Sequence, residues 1–159
     1  MRKPILNGLC LGIGLLVAML LFGATLDAQN AGEDQTLNIT IQVLDGRNGR
    51  PLADQHLLVF TGLSIDAVKS HAAHTGLTTN EIGMGTLSVY PSKTQWVQIF
   101  ADGRVLCFPT PNQSSFSVNE IMSKGLVISN TCSSLVKEAK PGQLIVFARP
   151  AGFLEKMKQ

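Results

Sequence analysis

The chain has 159 residues, of which 45% are hydrophobic and 15% are charged, and its formal net charge is +2. The charged residues are scattered along the chain, which argues against a surface for nucleic acid or anionic lipid. A chain of this length suits one domain with a substantial buried core.

The N-terminal segment, residues 1–28, has the order of a secretory signal: a basic start, an apolar run and a small-residue end. Arg2 and Lys3 precede residues 5–22, which carry no charged side chain. We predict cleavage after Ala28. Because residues 5–22 approach the length that spans a bilayer, an uncleaved membrane anchor is the alternative. Both outcomes export the following domain, so the expected location is secreted, periplasmic or otherwise at the cell envelope.

Two cysteines follow the predicted signal, Cys107 and Cys132. Because disulfides persist in exported compartments, we predict that this pair forms a disulfide. A bridge across a loop of this length stabilises a fold by about 3–4 kcal/mol, mainly by restricting the unfolded chain. A zinc site is disfavoured because no histidine lies near either cysteine at ligand spacing.

The first predicted strand follows a short polar linker, residues 29–35. After this linker, apolar residues alternate with polar ones, which is the pattern of a half-buried strand. The apolar residues are Leu37, Ile39, Ile41 and Val43. Further extended segments are predicted at residues 56–60, 77–80, 86–90, 96–101, 104–108, 126–128 and 144–149.

Glycine-containing turns separate these strands. Two X-Gly pairs within residues 45–49 accept positive φ and predict a turn after the first strand. Asp102 and Gly103 predict a hairpin that joins strand 96–101 to strand 104–108.

Two segments have helical features. Residues 64–74 fit either a short helix with a serine N-cap or a long loop laid over one sheet. Ser117 and Glu120 form a capping box, in which each side chain can bond the other residue's backbone amide. Gly125 supplies a left-handed stop, so we predict one short helix near residues 118–124.

About seven short strands with glycine turns between them predict an all-β fold. We expect an antiparallel Greek-key-type β-sandwich that comprises residues 36–159 and contains one short helix near residues 118–124. Three apolar residues near the C-terminus, Phe153, Leu154 and Met157, are expected to dock on this sandwich.

Two segments carry a family resemblance. Residues 41–52 read as a strand followed by a Gly-x-Pro-Leu turn, and residues 79–83 read as a Thr-Asp-x-x-Gly turn with Asn80 in the aspartate position. Over roughly residues 36–102 the chain resembles the carboxypeptidase regulatory-like family, a transthyretin-like (prealbumin-like) β-sandwich. The resemblance implies a non-catalytic accessory or adhesive module and brings no catalytic residues with it.

A pair of histidines is the candidate metal site. His71 and His74 lie three residues apart, so on a helix they would share a face that can bind Zn²⁺ or Cu²⁺. His56 or Asp66 could complete the ligand set. A zincin needs a glutamate beside its first histidine, where this chain has Ala72. We therefore favour the interpretation that both histidines are exposed loop residues that bind no metal.

Three aromatic residues form the candidate ligand-stacking site. Tyr90, Trp96 and Phe100 could make a platform for a sugar. Trp96 and Phe100 fall on one side of their predicted strand, for which core packing is the default expectation.

These patterns contain no catalytic constellation. We therefore expect an exported non-catalytic module with a binding or structural role at the envelope, no cofactor, and a protein or glycan partner. The alternative is a small metal-binding protein or metal-dependent enzyme that uses His71 and His74. A binding module should show a contiguous exposed apolar patch or an unpaired sheet edge.

Overall fold

The computed structural model describes residues 35–109 and 115–152. The predicted signal or anchor, most of the linker and the three C-terminal apolar residues lie outside the described residues. The described residues form two β-sheets and two short helices, which confirms the prediction of an all-β fold. Neither helix in these ranges is long and apolar enough to cross a membrane.

The elements follow one another in the order β1, β2, α1, β3 to β7, α2, β8 and β9. The strands are β1 (Leu37–Asp45), β2 (His56–Gly62), β3 (His74–Thr78), β4 (Met84–Val89), β5 (Trp96–Ala101), β6 (Arg104–Leu106), β7 (Ser115–Ser117), β8 (Leu126–Val127) and β9 (Gln143–Pro150). The helices are α1 (Ile65–Lys69) and α2 (Val118–Lys124). The sequence predicted no strand at β7, because three residues are too few for a periodic signal.

The five-stranded sheet has mixed strand directions. Its order is β4-β1-β9-β6, and β8 also pairs with β9. Strand β9 runs parallel to β1 and to β8, and antiparallel to β6. The prediction of an antiparallel sheet is therefore wrong here. Parallel neighbours need a long crossover, and residues 128–142 supply it between β8 and β9.

The four-stranded sheet is antiparallel throughout, with the order β3-β2-β5-β7. Helix α1 follows β2, and the Ser64 Oγ accepts a hydrogen bond of 3.1 Å from the Ala67 backbone amide. The helical alternative for residues 64–74 is thus confirmed over a shorter span. Strand β3 begins at His74 rather than at residue 77, because α1 ends earlier than the pattern indicated.

One cluster of buried side chains includes residues from both sheets. The five-stranded sheet contributes Ile39, Ile41, Val43, Leu87, Val89, Leu144, Val146 and Ala148, and the four-stranded sheet contributes Leu57, Val59, Val97, Ile99, Ala101 and Phe116. Strand alternation places these residues on one face of each sheet. The predicted apolar face of β1 is confirmed.

The turn at Asp102 and Gly103 changes sheets. The expected hairpin is wrong, because β5 belongs to the four-stranded sheet while β6 pairs with β9 in the other one. Strand β2 pairs with the whole length of β5, whereas β7 covers the other edge of β5 only at its first three residues. The residues after the turn, Arg104–Leu106, pair with β9 instead, so the chain crosses to the other sheet.

Helix α2 begins and ends where the capping signals predict. The Ser117 Oγ accepts a hydrogen bond of 3.5 Å from the Glu120 amide, and Gly125 ends the helix with φ of 77°. The Glu120 carboxylate instead lies 2.9 Å from the Lys124 Nζ. The reciprocal half of the predicted capping box is therefore replaced by an i,i+4 ion pair.

A second apolar cluster lies on the other face of the five-stranded sheet. Leu44, Ile145 and Phe147 alternate with the core residues of β1 and β9, and the crossover covers them. Cys107 and Cys132 form a disulfide with Cα atoms 5.5 Å apart, the pair named from the sequence. This bridge ties the end of β6 to the crossover.

Candidate functional site

The outer face of the four-stranded sheet carries two exposed apolar side chains that lie opposite each other. Leu58 on β2 is 45% exposed and Phe100 on β5 is 41% exposed, and the two residues are paired in the β2–β5 register. Their chain neighbours face the core, so alternation turns Leu58 and Phe100 outward. Outward strand positions are usually polar in a half-solvated sheet, so this pair marks a candidate interaction surface.

A groove of about 580 Å³ runs beside this pair. Its lining residues are His56, Leu57, Leu58, Gly76, Leu77, Thr78, Phe100, Ala101, Asp102 and Gly103. Gly76 lies opposite Leu58 in the β2–β3 register, and a β-carbon on Gly76 would have no neighbour within 4 Å. The missing side chain therefore leaves the sheet surface open next to Leu58.

Rings of phenylalanine and histidine stand beside the groove. The Phe60 ring meets Phe100 edge to face at 5.5 Å between centroids, and His71 lies 4.3 Å from Phe60 and 5.4 Å from Phe100. His74 lies 5.6 Å from Phe60. His71 has φ of 57°, a left-handed conformation that histidine adopts more readily than most residues. The turn after α1 thus brings its ring back onto the sheet.

The candidate metal ligands have ring partners in this arrangement. His71 and His74 both pack against Phe60. Among residues 35–109 and 115–152, no group of three or more histidine, cysteine or acidic residues is placed to hold a metal ion. His56 has another partner, since its Nδ1 lies 3.0 Å from the Thr78 Oγ1. Nothing in this geometry favours the metal-binding alternative.

A buried glutamine positions one wall of the groove. The Gln55 Nε2 donates hydrogen bonds to the backbone oxygens of Asp102, at 2.8 Å, and His56, at 3.0 Å. Its Oε1 accepts a 2.6 Å hydrogen bond from the Arg104 Nε. The Gln55 side chain thereby fixes the turn between β5 and β6. Sequence reasoning missed this residue, because a single glutamine before a strand carries no periodic signal.

A buried threonine anchors the end of β3 in the same way. The Thr79 Oγ1 accepts a 2.9 Å hydrogen bond from the Gln55 amide and donates one of 2.6 Å to the Leu52 carbonyl. Thr79 is 2% exposed. Its hydroxyl joins the segment before β2 to the end of β3, and so holds the groove's outermost strand in place.

Strand β3 lies at one edge of the four-stranded sheet, and no other strand of the described residues pairs with its outer side. The Thr61 amide bonds the Ala73 carbonyl, and the Thr79 amide bonds the Gln55 carbonyl, each at 3.1 Å. Because antiparallel hydrogen bonding alternates, the amides and carbonyls of the even-numbered β3 residues point away from β2. Those residues are His74, Gly76 and Thr78.

The predicted aromatic platform is divided between two surfaces. Phe100 lines the groove, whereas Trp96 lines a separate depression next to α2 with Ser117 and Met122. Tyr90 lines neither of these two, and the Lys93 Nζ lies 5.6 Å from its ring centroid. The expectation that Phe100 packs in the core is wrong, since this residue is 41% exposed. The reason is that Val97, Ile99 and Ala101 face the core from β5, which turns Phe100 outward.

Comparison of the chain with protein-family models, curated proteins and solved structures gives no match. The resemblance to the carboxypeptidase regulatory-like family therefore stays a prediction.

Proposed function

We propose that this chain is a non-catalytic binding module, exported to the cell envelope, that holds a protein or glycan partner in the groove of its four-stranded sheet. One observation carries the proposal: Leu58 and Phe100 stay exposed side by side in a groove of about 580 Å³. Ligand sites are concave and largely apolar, with a few polar groups that orient the ligand. His56, Thr78 and Asp102 supply such groups here.

The proposed architecture is a Greek-key-type β-sandwich of the transthyretin-like kind. The shared buried cluster supports two packed layers. The pairing of β1 with β4 and of β2 with β5 skips sequence neighbours, as Greek-key connections do. The two family-like segments also touch, since the Val43 amide donates a 2.8 Å hydrogen bond to the Gly83 carbonyl.

The proposed location outside the cytoplasm follows from the N-terminal sequence together with the Cys107–Cys132 disulfide. N-terminal sequencing of the exported protein tests it. A first residue near Gln29 supports a cleaved signal, a start at Met1 supports the anchor, and a chain retained in the cytoplasm with free thiols contradicts export.

The binding proposal is tested by comparing two double variants. Leu58→Ser with Phe100→Ser removes the groove's apolar pair, and Ile82→Ser with Tyr90→Ser removes apolar groups elsewhere that are at least as exposed. Envelope proteins and glycans retained by the unaltered chain are identified, and the strongest ligand is purified and titrated against both variants. The groove variant should bind at least about tenfold more weakly, in the range of interface hot spots. Equal affinities of the two variants would contradict the proposal.

A further inference from the structure

Resting on the proposed function, we infer that the groove's partner is an extended peptide. The peptide adds to the free edge of β3 as an antiparallel strand and places an aromatic side chain over Gly76. Strand addition to an exposed sheet edge is a general mode of peptide recognition, in which main-chain hydrogen bonds provide affinity and side-chain pockets provide specificity.

The backbone of β3 is available for this pairing. The amides and carbonyls of His74, Gly76 and Thr78 point away from β2, as the alternation above requires. Natural edge strands are usually protected by lysine, proline, a bulge or a covering element. Strand β3 has the sequence HTGLT, which contains no proline and no acidic, lysine or arginine residue. Within the described part of the chain, no element pairs with this edge. Strand β4 approaches only its C-terminal end, where a β-carbon on Gly85 would lie 3.7 Å from the Thr78 carbonyl oxygen.

The gap at Gly76 selects a large side chain. Residues directly opposite in a sheet share a face, so a peptide residue opposite Gly76 lies on the groove side. Leu58 is the next residue on that face, beyond Gly76. Strands lie about 4.8 Å apart, so an aromatic side chain can extend across the glycine to Leu58. Aromatic residues placed across from edge glycines cover the exposed backbone in this way.

The charges near β3 favour a basic residue at one end of the added strand. Asp54, Glu81 and Asp102 flank the C-terminal end of β3, where the Asp54 amide bonds the Thr79 carbonyl at 3.0 Å. Arg104 also lies at this end and is bonded to Gln55. A peptide that pairs antiparallel with β3 has its N-terminal end at the C-terminal end of β3. The three carboxylates there outnumber the one arginine, so they attract a basic residue near the start of the peptide. The inferred ligand has a lysine or arginine two residues before its aromatic residue.

The probe that tests this inference is the acetylated, fluorescently labelled peptide Thr-Lys-Thr-Phe-Thr-Val-Thr amide, titrated by anisotropy against the full chain. Replacing its phenylalanine by alanine should weaken binding about tenfold. Reversing the order of lysine and phenylalanine should weaken binding at low salt and much less at high salt, because screening removes the charge contribution.

Backbone methylation tests the strand geometry directly. Because Gly76 exchanges both hydrogen bonds with the residue opposite, N-methylation of the phenylalanine amide should reduce affinity at least tenfold. N-methylation of the next amide, which points to solvent in this register, should change affinity less than threefold. Equal effects of the two methylations would overturn strand addition.

A variant of the chain tests the glycine gap. Gly76→Thr fills the gap but leaves the edge amides free, so the preference for phenylalanine over alanine should fall from about tenfold to less than threefold. Ser88→Thr is the matched control on the exposed edge strand β4 and should keep the full preference. An unchanged preference in Gly76→Thr would overturn the inference.

These outcomes are separate from those that judge the proposed function. If Leu58→Ser with Phe100→Ser weakens binding of the natural partner while the methylated peptides bind alike, the groove binds its partner and the strand mode is wrong. If that double variant has no effect on the partner, the groove itself is not the binding site.

Discussion

Gly46 lies directly against the sulfur of Cys107. A β-carbon on Gly46 would be 2.5 Å from the Cys107 Sγ and 2.9 Å from the Cys132 Cβ. The carbonyl of Gly46 also accepts hydrogen bonds from the Asn130 Nδ2, at 2.8 Å, and the Ser133 Oγ, at 2.6 Å. The turn after β1 is thus joined to the crossover by the disulfide packing and by these two bonds.

Gly46→Ala should destabilise the fold by about 1–3 kcal/mol, because a methyl group has no room beside the disulfide. Gly76→Ala is the matched control. Its β-carbon meets nothing within 4 Å, so its stability should stay equal or rise by up to about 1 kcal/mol. Urea unfolding of both variants provides the comparison, and equal midpoints would contradict the packing argument.

Replacing both Cys107 and Cys132 by alanine should lower the free energy of unfolding by about 3–4 kcal/mol. The disulfide closes a loop with a sequence separation of 25, and removing it restores entropy to the unfolded chain. Denaturant unfolding with and without dithiothreitol measures the effect. Reductant should destabilise the parent chain and leave the double variant unchanged; a response of the double variant would point to a different cause.

Gln55→Ala should cost about 1–3 kcal/mol, because Gln55 is 7% exposed and its loss leaves buried partners without their hydrogen bonds. Hydrogen exchange should also become faster at Asp102, whose backbone Gln55 holds. Ser88→Ala, which removes an exposed side-chain bond to Asn38, should change stability by less than about 0.5 kcal/mol. Similar losses in the two variants would show that Gln55 is not a structural anchor.

Phe147→Ala should destabilise the fold by about 3–5 kcal/mol. Phe147 is 1% exposed in the cluster beneath the crossover, whereas Val136 on the crossover is 83% exposed. Val136→Ala should therefore stay within about 0.5 kcal/mol of the parent. Thermal unfolding followed by circular dichroism distinguishes them. A small effect of Phe147→Ala would mean that the crossover does not pack on this face in solution.

Removal of metal ions should leave the thermal midpoint unchanged, because His71 and His74 pack on Phe60 without a third ligand grouped near them in the described residues. Elemental analysis of protein purified without chelator, with thermal unfolding before and after EDTA, checks this. Stoichiometric zinc or copper that disappears in the variant His71→Ala with His74→Ala would restore the metal-binding alternative.

Features that depend on near neighbours in the chain were predictable. The alternation from Leu37 to Val43 gave the buried face of β1, and the Ser117 hydroxyl and Gly125 marked the ends of α2. Such signals require only a few consecutive residues. The disulfide partners were predictable for a different reason, since Cys107 and Cys132 are the cysteines left after the predicted leader.

The partners of each strand depended on the whole fold. Asp102 and Gly103 formed a tight turn, but the next strand, β6, pairs with β9 in the other sheet rather than with β5. The sequence suggested that Gly46 is needed for a positive φ, but in that turn the positive φ is at Gly49. Gly46 is needed because the Cys107 sulfur leaves no room for a side chain.

The groove could not be predicted from sequence patterns. Alternation placed Trp96 and Phe100 on one side of a strand, but it could not show which side faced the core. The core contacts of Val97, Ile99 and Ala101 decided it. Leu58 and Gly76, which line the groove with Phe100, lie on two other strands and come near it only after the sheet forms. Local periodicity is a property of a single segment, whereas an exposed surface is created by chain segments that fold from distant positions.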